Sequence, residues 1–202
     1  MDIYLVRHGE VEAHYQDRFY GGLEVELSDF GRRQAELAGN FLADVSLQAI
    51  YCSPLHRAGF GAHEVARRQA NVIPTVVDDF KEIDRGRWTG LLKSEVLGRW
   101  PNDLTSHRSD LANWRDHGGE SLGDLRARVW ASFDQVLNSH QAGDRIAVVA
   151  HLFPIAAILA KSDGRQLERW MDWSIPTGSV SRLSGDGKRF ESVWVGREPG
   201  SA

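Results

Sequence analysis

Two apolar runs in this chain end in histidine, and histidine can do chemistry. "YLVRHGE", residues 4 to 10, carries Arg7 and His8 straight after Ile3, Leu5 and Val6. "RIAVVAH" ends at His151. Buried strands do not usually finish in a cation and an imidazole for packing reasons. Open α/β sheets hold ligands at the carboxyl ends of their strands. In a parallel sheet both ends lie on one edge, so His8 and His151 can meet. A neutral imidazole is a good nucleophile near neutral pH. A second histidine and an arginine beside it suit a phosphate, because phosphoryl transfer needs positioning and charge neutralisation above all. Arginine offers a planar fork for two oxygens. "CSPLHRA" places a second one, Arg57, in the first turn of a helix, where the helix end favours an anion. "FKEIDRGRWTG" supplies Glu82 and Asp84. A carboxyl buried near phosphate and aromatic rings can serve as general acid and then as base for water. Glu82, closer to the preceding strand, is favoured over Asp84. Each residue also has a plain reading. His8 and His151 could be hydrogen-bonded core residues, Arg7 a snorkelling strand end, and Arg57 the partner of a surface acid. Taken alone, the plain reading of His8 is the commoner one.

The elements that must position these residues alternate along the chain. Strands are expected at about 2–7, in "QAIYCS", in "VIPTVV" and in "RIAVVAH". Two more, "SVSRLS" and "FESVWV", flank the hairpin turn "GDGK". Ser28 caps a helix running to about Asp44. "PLHRAGFGAHEVARRQA" is a helix with Pro54 near its start. Ser121, with Asp124 three residues on, opens a helix after "GGE". A further helix runs from Phe153 to about Lys161. Residues 78–120 are the least regular, with short helices expected in "SEVLGRW" and "SDLANW". The pattern implies a three-layer α/β/α sandwich with a mostly parallel central sheet. It forms a single domain over 1–202, with a small helical cap insertion at about 78–120.

The chain has 202 residues and a formal net charge of -4. That balance gives no global reason to expect nucleic acid or an anionic membrane as partner, so any anion site must be local. A single cysteine, Cys52, excludes an internal disulfide and suits a cytoplasmic protein. The N-terminus lacks a basic stretch followed by a long apolar run, so no signal peptide is expected. The histidines are scattered, so neither a metal nor a cofactor is expected. The expected partner is a small phosphomonoester, and a homodimer is left open. Seven tryptophans are present. Trp88, Trp100 and Trp114 fall in the irregular region, where they could line an apolar entrance for an aromatic or nucleoside substrate. His56, His63, His107, His117 and His140 read as surface residues.

"LVRHGE", "YCSPLHRA", "KEIDRGRWTG", "GGES" and the strand-ended His151 together resemble the histidine phosphatase, or phosphoglycerate mutase-like, superfamily over roughly residues 1–185. The resemblance implies a metal-independent phosphatase in which His8 is phosphorylated on nitrogen. Arg7, Arg57 and His151 would surround the phosphate, and Glu82 would donate the proton. Residues near the phosphate would include His14, Tyr20, Gly21 and Leu152. "GEVEAHYQDRFYGG" and "WRDHGGESL" are similar to α-ribazole phosphatases of cobalamin assembly. A mutase and a non-catalytic phosphate binder are the alternatives. The chain also departs from the family pattern. His14 stands where an asparagine is common. "HLFPI" replaces a histidine followed by two small residues, so Leu152 and Phe153 are bulky where a backbone amide would approach phosphate. Ala156 and Gly61 replace a common arginine and threonine.

Overall fold

Alternation in two strands decides the layering. The computed structural model describes residues 1–200, and of Met171 the backbone alone. In β1 (Asp2–Arg7) Ile3 and Leu5 face one core, while Tyr4 and Val6 face another. β4 (Arg145–Ala150) repeats this, with Ile146 and Val148 on the first side and Ala147 and Val149 on the second. Strands buried on both faces need helices on both faces. The remaining strands are β2 (Ala49–Cys52), β3 (Thr75–Val76), β5 (Val180–Gly185) and β6 (Phe190–Arg197). The six strands lie in the order β3-β2-β4-β1-β5-β6. Strands β3, β2, β4 and β1 run parallel, and β5 and β6 are antiparallel additions. Asp2 pairs with Arg145 on one side and with Ser184 on the other.

The helices are α1 (Ala13–Gln16), α2 (Asp29–Phe41), α3 (His56–Ala66), α4 (Lys93–Arg99), α5 (Asp103–Ser109), α6 (Leu122–Asn138) and α7 (Leu152–Asp163). α6 and α7 cover the Ile3 side, and α2 and α3 cover the Tyr4 side. The Ser28 cap is present, its hydroxyl accepting from the Gly31 amide at 3.0 Å. Ser121 and Asp124 form the reciprocal capping box. No helix among the described residues is long and apolar enough to cross a membrane.

Several boundaries differ from the sequence expectation. α2 stops at Phe41 rather than Asp44, because Ala43 and Val45 bond three residues back and tighten the chain into turns. Only Thr75 and Val76 of "VIPTVV" pair, after Pro74, which cannot donate to a ladder. α3 begins at His56, with Pro54 just outside it. "SDLANW" is a turn, not a helix. The Asp110 carboxylate accepts from the Asn113 amide at 3.2 Å, which competes with the helical pattern.

Residues 78–120 pack a small core of their own from Trp88, Val96 and Trp114, with Phe19, Leu91, Trp100 and Leu104 against it. Trp88 is fully buried. Trp88 and Trp114 therefore hold this segment together and do not form an apolar entrance. His107 and His117 join them rather than the surface, and His117 stacks on Trp114 at 4.8 Å. Burial, then the fields of Arg85, His117 and Arg108, pull the His107 pKa down to about 4. In the unfolded chain His107 titrates near 6.5. Between those values the unfolded state binds more protons, so stability falls as pH falls and levels off below about 4. Thermal melts from pH 7.5 to 4.5 are expected to show a falling Tm, with a shallower fall in His107→Phe. An unchanged slope in that variant would remove His107 from the effect.

Candidate active site

The pairing of β1 with β4 sets Arg7 opposite Ala150, which brings the next residues, His8 and His151, side by side. Their ring centroids are 5.0 Å apart. The chain can turn after His8 because Gly9 has no side chain. A Cβ there would lie 2.0 Å from the Gly31 carbonyl oxygen. The strand end is thereby seated directly on the start of α2. His8 is almost completely buried. Its Nδ1 lies 2.7 Å from the Gly9 carbonyl oxygen. A carbonyl only accepts, so Nδ1 carries the proton and the Nε2 lone pair is free. Burial, then the neighbouring Arg57 and Arg7, hold the His8 pKa well below the usual histidine range.

His151 is fully buried and caps the N-terminus of α7. Its Nε2 is 2.7 Å from the Ser53 hydroxyl, which also accepts from the Leu55 amide at 3.2 Å. Its Nδ1 has no partner. Burial, then His8 and both arginines, keep it neutral as well. Arg57 lies in the first turn of α3 and donates to the carbonyls of Leu23 at 2.6 Å and Gly21 at 2.7 Å. Arg7 donates to the Ile175 carbonyl at 2.6 Å. The Nε atoms of both arginines are buried without an acceptor. Three buried nitrogens around His8 therefore lack partners, which a folded protein rarely tolerates without a ligand or water to fill them.

Beside this group lies a cleft of about 240 Å³, lined in part by Arg7, Tyr20, Gly21, Glu82 and Leu152. The Tyr20 hydroxyl is beside Arg7, and burial raises its pKa. The Arg57 guanidinium lies 5.3 Å from the Tyr20 ring centroid. Gly21 has φ +41, and a Cβ there would lie 2.4 Å from the Ile83 carbonyl oxygen, so the two walls touch through backbone. Glu82 stands where this cleft meets a second one of about 480 Å³ that also takes in Asp84, Glu120 and Arg128. The Ile83 amide donates to a Glu82 carboxylate oxygen at 3.0 Å. Asp84 faces the larger cleft only and is tied to the Gly86 amide.

The structure does not bring His14 into this group. α1 turns its side chain outward, 59% exposed, against Tyr15 and 3.4 Å from Glu12. That is a correction to the expected phosphate contact. Three residues with clear positions here were not singled out from the sequence. Ser53 directly follows β2 and was hidden inside "CSPLHRA". Arg128 reaches from α6 to the carbonyls of Asp79, Lys81 and Glu82, and Glu120 holds it from the other side at 2.6 Å. Arg85 lines the smaller cleft. Arg128 was masked because the apolar stripe of its helix carried the stronger signal. Among the described residues no group of three His, Cys, Asp or Glu side chains could hold a metal.

Residues 3–197 match the histidine phosphatase superfamily (branch 1). Phosphoserine phosphatase 1 of Hydrogenobacter thermophilus is 31% identical over 185 residues, covering 92% of this chain and 87% of that protein. The structure of a mycobacterial glucosyl-3-phosphoglycerate phosphatase with VO3 superposes with a TM-score of 0.85 at 27% identity, covering 96% of this chain and 98% of that one. A putative α-ribazole-5'-P phosphatase from Escherichia coli K-12 superposes with a TM-score of 0.88 over 100% of this chain and 98% of that one. At 21% identity, that last likeness speaks for the fold alone. With these matches joined to the paired histidines at the strand ends, the chain belongs to the histidine phosphatase superfamily, branch 1, and several of its relatives are named as phosphatases.

Proposed function

We propose that the protein hydrolyses phosphomonoesters through a phosphohistidine on His8, without a metal. The observation that carries this reading is the set of three unpartnered buried nitrogens around a neutral imidazole with a free Nε2. A phosphate group supplies the missing acceptors. Arg7 and Arg57 supply the positive charge that a metal ion supplies elsewhere. Ser53 can give its hydroxyl proton to His151 Nε2, which leaves the proton on Nδ1 as a donor to the phosphate.

His8 Nε2 attacks phosphorus in line, and the bond from phosphorus to the ester oxygen breaks. Glu82 delivers its proton to that oxygen. The Gly9 carbonyl, accepting from Nδ1–H, steadies the positive charge on the phosphorylated ring. Water then attacks phosphorus, Glu82 takes its proton, and the phosphorus–nitrogen bond breaks. Inorganic phosphate leaves and His8 is neutral again. A mutase would instead return the phosphoryl group to an organic acceptor without releasing phosphate.

Two finer expectations attach to this reading. α-Ribazole 5'-phosphate is supported by the aromatic rings of Phe19, Tyr20 and Phe153 along the cleft, which suit the flat base of its leaving group. A cytoplasmic setting is supported by the lone free thiol of Cys52.

Rapid quench with a labelled phosphate ester is expected to trap acid-labile, base-stable phosphate on His8. His8→Ala should lose on the order of 10³ or more in kcat. Absence of that adduct while phosphate is still released would overturn the covalent step. Glu82→Gln should cost about 10² to 10⁴ on an alkyl phosphate and much less on p-nitrophenyl phosphate, whose leaving group needs no proton. Equal losses on both esters would dismiss Glu82 as the acid. Arg128→Ala, which frees the backbone under Glu82, should copy that ester dependence at about tenfold to a hundredfold. A uniform loss would make Arg128 a stability residue only.

A further inference from the structure

Away from the histidines, a cleft of about 610 Å³ opens between α6, α7 and the β5–β6 hairpin. It is larger than either cleft at the strand ends. His151 caps the start of α7, whereas Lys161 and Ser162 reach this cleft from the last turn, about 15 Å further along the helix axis. A molecule bound here would not touch the phosphate pocket.

Its charges do not balance. Lys161, Lys188 and Arg189 line it against a single carboxylate, Asp134. Lys161 pairs with Asp134 at 2.8 Å and lies 5.0 Å from the Trp130 ring centroid. The other acids at this end are engaged. Asp163 accepts from the Ser192 hydroxyl at 3.0 Å. Asp186, which feels the field of Lys188, accepts the amides of Lys188 and Arg189 on one oxygen, both at 2.8 Å. Lys188 and Arg189 thus keep two positive charges that no ion pair among the described residues cancels, in a chain of net charge -4. The Asp186 bonds also shape the turn, and Gly187 supplies the φ of +97 that it needs. The cations therefore sit on a hydrogen-bonded hairpin tip rather than on a loose loop. Below them the cleft is apolar, with Leu137 and the rings of Phe133 and Phe190.

Exposed cations alone hold an anion weakly, because water and salt screen them. An apolar floor beside them changes this, since a flat ring can be buried there and an aromatic face stacks any base. The volume lies in the range of clefts that take molecules of this size. Phosphate oxygens suit the guanidinium fork and the ammonium. We propose that this cleft binds a nucleoside polyphosphate, with its base over Leu137 and Phe190 and its phosphates against Lys188 and Arg189. The site stands independently of the hydrolase reading above.

Isothermal titration of the full chain with ATP tests the idea. One site per chain is expected, with a Kd on the order of 100 μM that weakens as salt rises. Lys188→Glu combined with Arg189→Glu should weaken binding about tenfold or more. Asn138→Trp, which crowds the rim of the cleft without changing its charge, should weaken it as well. His8→Ala should bind ATP as the parent does. The hairpin and Asn138 variants should release phosphate from p-nitrophenyl phosphate at the parent's rate, and thermal melts confirm that each is folded. Loss of binding in His8→Ala would move ATP to the phosphate pocket and overturn the assignment. So would undetectable binding to the parent, unchanged binding in the hairpin double variant, or tripolyphosphate binding as tightly as ATP. Each of these results leaves the hydrolase reading standing.

Discussion

Positive charge gathered at the strand ends, held without a direct carboxylate pair among the described residues, is the constraint on which the site depends. Arg7 and Arg57 lie beside two buried imidazoles, and among the described residues neither arginine is tied down by a carboxylate salt bridge. Backbone carbonyls hold them instead: Ile175 for Arg7, Gly21 and Leu23 for Arg57. A carbonyl satisfies an N–H and orients a guanidinium but leaves its charge in place. A carboxylate would cancel that charge and compete with phosphate for the same donors. The arrangement also settles the imidazoles. With two cations nearby and little solvent, His8 and His151 stay neutral. An imidazole must be neutral to attack phosphorus, so the cations that would draw in a phosphate also hold His8 in the form the proposed chemistry needs.

The other half of the site is held through backbone. Glu82 lies on an irregular segment between a 3-10 turn at Asp78–Phe80 and another at Gly86–Trp88. Such a segment has no ladder of its own to fix it. Arg128 on α6 and Glu120 just before that helix fix it, the first through the carbonyls of Asp79, Lys81 and Glu82 and the second through the Asp84 amide. The cap core around Trp88 supports it from the other side. Glu82 and His8 are therefore placed by different parts of the molecule, which meet only across the cleft.

The strands and the chemistry at their ends were legible because they rest on short-range patterns. Apolar runs ending in histidine marked β1 and β4, and Ser28 and Ser121 marked helix starts. His8, His151 and Arg57 needed only the parallel-sheet rule to be brought together. What escaped notice depends on three-dimensional company. His117 looks polar in a string, yet tryptophans enclose it. His14 looks close to the site by count, yet one helical turn points it outward. Phe153 looked like an obstruction to phosphate, and its position against Arg85 appears only when the third strand's loop is folded over α7. Arg128 announces nothing by spacing, because its partners are carbonyls and any residue can supply one.

The register of β1 has a consequence for how the protein comes into being. Asp2 is the first residue of its strand, yet its neighbours are Arg145 and Ser184. The central strand must wait while most of the chain emerges before it has anything to pair with. Helices such as α2 and α3 can form early, but His8 and His151 cannot face one another until β4 slides in beside β1. Sheets built from such distant pairings fold slowly, and their unpaired strands are exposed meanwhile. A half-synthesised chain therefore carries His8 and Arg57 as ordinary side chains, and the group they form with His151 is assembled late, with the closing of the sheet.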